Sequence, residues 1–225
     1  MTKSNNPLIV ALDVETFDEA KALVAKLGDS VDICKIGSQL FTAYGPEAVR
    51  EIAAQGKKIF LDLKFHDIPN TVAKAVESAA SLNVFMLTVH TIGGKEMMEA
   101  AVAAAKKAKN RPLIVGVTVL TSDTATANTS QTVLERAKLA IESGLDGVVA
   151  SPQEAAMLRW ELGSKFIIVT PGIRPSDAST DDQKRVATPK AAIESGSNFL
   201  VVGRPIVQAK DPKQAAQNIL REIAS

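Results

Sequence analysis

Residues 58–90 read KIFLDLKFHDIPNTVAKAVESAASLNVFMLTVH. An apolar run from Lys58 to Leu63 is followed by a segment rich in Ala, Glu and Lys from Val72 to Ser81, and then by a second apolar run from Val84 to Val89. Runs of roughly four to eight residues rich in Val, Ile, Leu and Phe predict buried strands, and the longer segment between them predicts a helix. A strand, a crossover helix and a second strand form the βαβ unit from which parallel sheets are built.

The alternation continues in both directions. Apolar runs lie upstream at Leu8–Leu12 and Val31–Ile36, and downstream at Leu113–Val119, Gly147–Ala150, Phe166–Val169 and Phe199–Val202, which makes eight expected strands. Helical segments are expected at Phe17–Leu27, Pro46–Gln55, Gly94–Lys107, Gln131–Ser143 and Pro152–Leu162, besides Val72–Ser81. The strands are continuously apolar, as strands covered on both faces are. Eight units predict an α/β fold of the (β/α)8 TIM-barrel type, with residues 1–225 as one domain. An open doubly wound sheet is the competing architecture, but it usually holds fewer strands, and no G-x-G-x-x-G follows the first apolar run. Thr16 or Asp18 can cap the first helix, Pro46 suits a first helical turn, and Gly28, Gly56, Gly144 and Gly163 follow helical segments.

The chain is 46% hydrophobic and 23% charged, enough apolar material for a sizeable core and too much for a disordered chain. Its formal net charge of +1 provides no basic field for nucleic acid, so an anionic ligand has to be held by local groups. A single cysteine, Cys34, rules out an intrachain disulfide and a thiolate zinc cluster, and fits the cytoplasm. No window approaches the about 18 apolar residues of a membrane span, and Leu8–Leu12 is too short for the core of a secretion signal.

In an α/β barrel the chemistry sits at the C-terminal ends of the strands, so the polar residue closing each run is the informative one. Asp13 closes the first run, Lys35 the second, Asp62 and Lys64 the third and His90 the fourth. Thr118 and Thr121 follow the fifth, Ser151 the sixth, Thr170 the seventh and Arg204 the eighth. Most of these are expected to face one mouth. Strand alternation puts Asp62 and Lys64 on one face with Phe60, opposite Leu61 and Leu63. Charges at the end of an apolar strand are costly unless paired, which makes Lys35, Asp62, Lys64 and Asp67 candidates for one mutually neutralising set. Spacing alone serves a structural ion-pair network as well as it serves catalysis.

The run Asp62 to Thr71, D-L-K-F-H-D-I-P-N-T, resembles the active-site signature of the orotidine 5'-monophosphate decarboxylase family. The resemblance extends over nearly the whole chain, through L-D-V at Leu12–Val14, K-I-G at Lys35–Gly37, L-T-S at Leu120–Ser122, P-G-I-R at Pro171–Arg174 and V-G-R-P at Val202–Pro205. It implies that Lys64 is the catalytic ammonium and that Lys35, Asp62 and Asp67 complete a charged array. It further implies a homodimer in which Asp67 and Ile68 reach the neighbouring subunit's site. Asp13 would contact the ribose or the array, and Asn70 and Thr71 would line the ribose-phosphate side. Thr121, Pro171, Arg174, Gln183, Gly203 and Arg204 would bind the pyrimidine and phosphate, with no metal and no organic cofactor. The polar loops at 121–130 and 174–184 follow the fifth and seventh strands, and the second reads as a lid.

D-x-K-x-x-D is shared with magnesium-dependent sugar-phosphate decarboxylases and aldolases, and a non-catalytic nucleotide-binding barrel is a third reading. His66 and His90 lack H-x-H or H-E-x-x-H spacing and read as structural hydrogen-bonding residues. Cys34 reads as a buried filler facing away from Lys35. Trp160 and Tyr44 read as packing residues.

Overall fold

Strands and helices alternate until the sheet closes on itself. The computed structural model describes residues 6–120, 129–175 and 187–225. Its strands are β1 (Leu8–Ala11), β2 (Ile33–Gly37), β3 (Lys58–Phe65), β4 (Met86–His90), β5 (Leu113–Val117), β6 (Gly147–Val149), β7 (Ile167–Thr170) and β8 (Phe199–Val202). Every neighbouring pair is parallel, and β1 pairs with both β2 and β8, so the eight-stranded ring is closed. The expected barrel is the observed one.

Helices α1 (Phe17–Leu27), α2 (Ser38–Ala54), α3 (Pro69–Ser81), α4 (Gly94–Lys106), α5 (Thr129–Glu142) and α6 (Pro152–Leu162) form the outer layer with α7 (Pro189–Glu194), α8 (Arg204–Val207) and α9 (Pro212–Ala224). Of the two candidate caps for α1, Thr16 is the one used. Its hydroxyl accepts the Glu19 N–H while the Glu19 carboxylate accepts the Thr16 N–H, a reciprocal capping box. Helix α2 begins earlier than the Pro46 start expected from sequence. Its first part, Ser38–Tyr44, is interrupted at Gly45, whose φ of 59° breaks the helical path before Pro46 restarts it. The six expected helices do not include α7, α8 or α9. Helix α9 is nevertheless well signalled, with Asp211 accepting the Gln214 N–H and Pro212 in the first turn.

Two apolar layers follow from strand alternation. Leu8, Val10, Cys34, Ile59, Leu61, Leu87, Val148, Ile168 and Leu200 point outward and pack under the helices. Ile9, Ala11, Ile33, Phe60, Met86, Val115, Val169 and Val201 point inward and fill the barrel. Cys34 therefore lies on the outer side of β2, as expected, and burial pushes its thiol up to about 12. Trp160 departs from expectation: it is 87% exposed and is not a packing residue. Leu158 fixes the buried face of α6, and two residues further on a helix turns about 200°, which aims Trp160 at solvent. Tyr44 does pack, its ring 5.2 Å from that of Phe17.

Candidate active site

One step up the barrel from the inner apolar layer, the same alternation places polar side chains. Asp13 follows Ala11 by two residues, Lys35 follows Ile33, Asp62 follows Phe60 and Thr88 follows Met86. The charged ones converge. The Lys64 Nζ donates to Asp62 Oδ1 at 2.8 Å, and the Lys35 Nζ lies 3.1 Å from Asp13 Oδ1 and 3.8 Å from Asp62 Oδ2. Two ammonium groups against two carboxylates leave this tetrad formally neutral, which is what allows Lys35 to be only 9% exposed. Lys64 differs from Lys35 in reach: its side chain is 37% exposed against 11%, so it is the more open of the two.

The array works on a tight floor. A Cβ at Gly37 would sit 3.1 Å from the Lys35 Nζ and 3.4 Å from Asp13 Oδ1, so the glycine leaves the ion pair its room. At the top of β3 the ladder is irregular: Leu61 pairs with Leu87 and Phe65 with Val89, four steps on β3 against two on β4. Within that bulge Lys64 adopts φ 52°, a conformation that side chains other than glycine and asparagine rarely occupy. Its N–H donates to the Thr88 hydroxyl at 2.8 Å.

Above this floor is a cavity of about 520 Å³, within the range of small-molecule sites. Among the described residues, the expected Asp13, Lys35, Asp62, Lys64, Pro171, Arg174, Gly203 and Arg204 all line it. Phe60, Val117, Val119, Leu120, Val149, Val169 and Val201 supply an apolar wall, and Gln208, beyond the end of α8, joins the lining. Sequence reasoning named neither the wall nor Gln208. The wall was nonetheless available from alternation, since Val117 and Val119 flank Thr118 on β5 and the segment after it.

Other expected residues lie elsewhere. Asp67, Ile68, Asn70 and Thr71 are exposed and do not line their own chain's cavity; the Asp67 carboxylate accepts the Ile68 N–H at 2.6 Å, at the start of α3. Thr121 and Gln183 lie outside the described residues, as does most of both polar loops. The expectation that most strand-end polar residues face the mouth needs correction for four of them. Thr118 donates to the Val149 carbonyl, Thr170 pairs with Ser197 at 2.6 Å, the Ser151 N–H donates to the Glu154 carboxylate at the start of α6, and His90 accepts the Ile92 N–H. They satisfy backbone and buried polar groups instead. The His66 ring meets that of His90 at 5.8 Å. Among the described residues no group of three or more His, Cys, Asp and Glu is placed to hold a metal ion, and no helix is long and apolar enough to cross a membrane.

Comparison with known proteins bears on the same residues. Residues 6–219 match the model of the Orotidine 5'-phosphate decarboxylase / HUMPS family. A curated relative from Idiomarina loihiensis named orotidine 5'-phosphate decarboxylase is 51% identical, with 96% of this chain and 97% of that one covered. One of the same name from Legionella pneumophila is 50% identical, with 96% and 98% covered. The crystal structure of orotidine 5'-phosphate decarboxylase from Lactobacillus acidophilus superposes with a TM-score of 0.87 at 39% identity, covering 98% of this chain and all of that one. A closed barrel with a lysine-aspartate tetrad at its C-terminal mouth, matched over nearly its full length by these proteins, belongs to the orotidine 5'-phosphate decarboxylase / HUMPS family.

Proposed function

We propose that this chain is an orotidine 5'-phosphate decarboxylase, converting orotidylate to uridylate and carbon dioxide in pyrimidine biosynthesis. The observation that carries the reading is the Lys64 ammonium, held by Asp62 at 2.8 Å and presented to an apolar-walled cavity. Heterolysis of the bond between C6 and the carboxylate releases carbon dioxide and leaves the electron pair in an orbital orthogonal to the ring π system, where delocalisation cannot help. A fixed cation beside C6 stabilises that pair electrostatically and is worth most where water is excluded. Lys64 then gives a proton to C6 as general acid and regains one from solvent.

The remaining residues divide the binding work. Arg204 and the backbone at Gly203 hold the phosphate, Pro171 and Arg174 border the pyrimidine, and Asp13 meets the ribose. Thr121 and Gln183 complete the substrate contacts. Binding energy at the phosphate, remote from the reacting carbon, orders the site around it. Asp67 and Ile68 act across a homodimer boundary. Their exposure, and their absence from the lining of their own cavity, support that assignment. Asn70 and Thr71 occupy the adjacent first turn of α3 and share the same exposed face. A single buried cysteine suits the reducing cytoplasm.

Neither metal nor organic cofactor takes part in this scheme. Loss of orotidylate absorbance with stoichiometric uridylate is the direct assay. Full turnover is expected with chelator present. A strict magnesium requirement, with activity on keto-sugar phosphates instead, would overturn the reading.

A further inference from the structure

Thr88 is fully buried on β4, in the same layer as Asp62, and is not among the residues that line the cavity. Its hydroxyl makes two contacts. It accepts the Lys64 N–H at 2.8 Å and donates to Asp62 Oδ1 at 3.1 Å, the same oxygen that accepts the Lys64 ammonium at 2.8 Å. The direction of both bonds is forced, because an ionised carboxylate only accepts and a backbone N–H only donates. One hydroxyl thus satisfies the backbone of the lysine and the carboxylate that holds the lysine's tip. It does so inside the β3 bulge, where the Lys64 backbone takes its left-handed φ of 52° and its N–H has left the regular ladder.

We infer that Thr88 is a positioning residue for decarboxylation, locking the backbone of Lys64 and the carboxylate of Asp62 into one rigid unit from the neighbouring strand. This rests on the decarboxylase reading of the site. A hydrogen-bonded ring of backbone, hydroxyl, carboxylate and ammonium cannot change the direction of the Lys64 side chain without breaking a partly buried bond. That restraint matters for a reaction whose rate depends on where one charge sits, since a misplacement of about 1 Å costs on the order of a hundredfold. Ribose and phosphate contacts are made by other residues, so substrate affinity does not depend on the hydroxyl.

The test compares Thr88→Val, which keeps the volume and loses the hydroxyl, with Thr88→Ser, which keeps the hydroxyl. Expected for Thr88→Val is a kcat lower by about 10- to 100-fold, with KM and the affinity for uridylate within about threefold of wild type. Thr88→Ser should restore kcat to within about fivefold. Should Thr88→Val fail to fold, Thr88→Ala and Thr88→Ser carry the comparison, since both lack the methyl group and differ only in the hydroxyl. Folded variants with equal kcat, with and without the hydroxyl, would overturn the role of Thr88 and leave the decarboxylase reading intact. Wild-type protein that binds uridylate but does not turn over orotidylate would overturn both.

Discussion

Lys64 combines three properties that no other described residue shares: a left-handed backbone, a carboxylate partner at 2.8 Å and a partly exposed side chain at the cavity. Truncation tests whether these serve chemistry or architecture. Lys64→Ala removes a partly buried ion pair and leaves Asp62 with Lys35 at 3.8 Å, a cost of about 1 to 2 kcal/mol, so the fold should persist with a melting temperature lower by roughly 2–8 °C. Turnover of orotidylate should fall by roughly 10⁴-fold or more, because both the fixed charge and the proton donor are lost. Unchanged turnover, measured on folded protein, would remove Lys64 from the mechanism. The residue pattern made much of this legible, since alternation along β3 already joined Asp62 and Lys64 to Phe60. The bulge was not legible. Nothing in K-I-F-L-D-L-K-F signals that two extra residues are absorbed before Phe65, nor that a threonine inside the adjacent apolar strand closes the ring beside them.

At the scale of elements, the strands read clearly because each is covered on both faces and so appears as an unbroken apolar run. Helices read well where their ends are chemically marked, as at Thr16 and Pro152, and poorly where a glycine kinks one, as at Gly45. The N-terminal end of the barrel holds an element-scale joint that sequence does not reveal. Arg159 of α6 donates to the carbonyls of Gly196 and Phe166 and to the Asn198 side chain, which also accepts the Ile168 N–H. One guanidinium thereby ties α6, β7 and the turn into β8, and burial pulls it below the ordinary arginine value. Gly196 has φ 101°, and a Cβ there would meet the Arg159 Cγ at 2.5 Å. Gly196→Ala should therefore cost about 2 to 3 kcal/mol and lower the melting temperature by roughly 5–10 °C. Because this joint lies at the end opposite the cavity, kcat at 25 °C should remain within about twofold of wild type. A large fall in kcat without loss of stability would contradict that separation of the two ends.

At the scale of the molecule, the exposed Asp67–Ile68 turn is what a single chain leaves unexplained. Subunit mixing addresses it. Lys64→Ala and Asp67→Ala chains should each be nearly inactive alone. In a hybrid dimer, however, one of the two sites pairs an intact Lys64 with an intact Asp67. Equal mixing should recover about a quarter of the wild-type sites, by random pairing of protomers with two-fold symmetry. No recovery, with subunit exchange shown by an independent label, would place Asp67 within its own chain's site or outside catalysis. A second chain is implied by family resemblance alone, because composition and spacing carry no record of which surface meets a copy of itself.

The pairing of β1 with β8 has a consequence for synthesis. On the ribosome, Leu8–Ala11 emerges first of the eight strands, and the strand that covers its open side, Phe199–Val202, emerges last of them. Every shorter nascent chain presents two bare sheet edges, the feature most prone to illicit pairing between chains. Translation therefore keeps this barrel vulnerable until its eighth strand is out, and that strand converts an adhesive ribbon into a ring with no edge to offer.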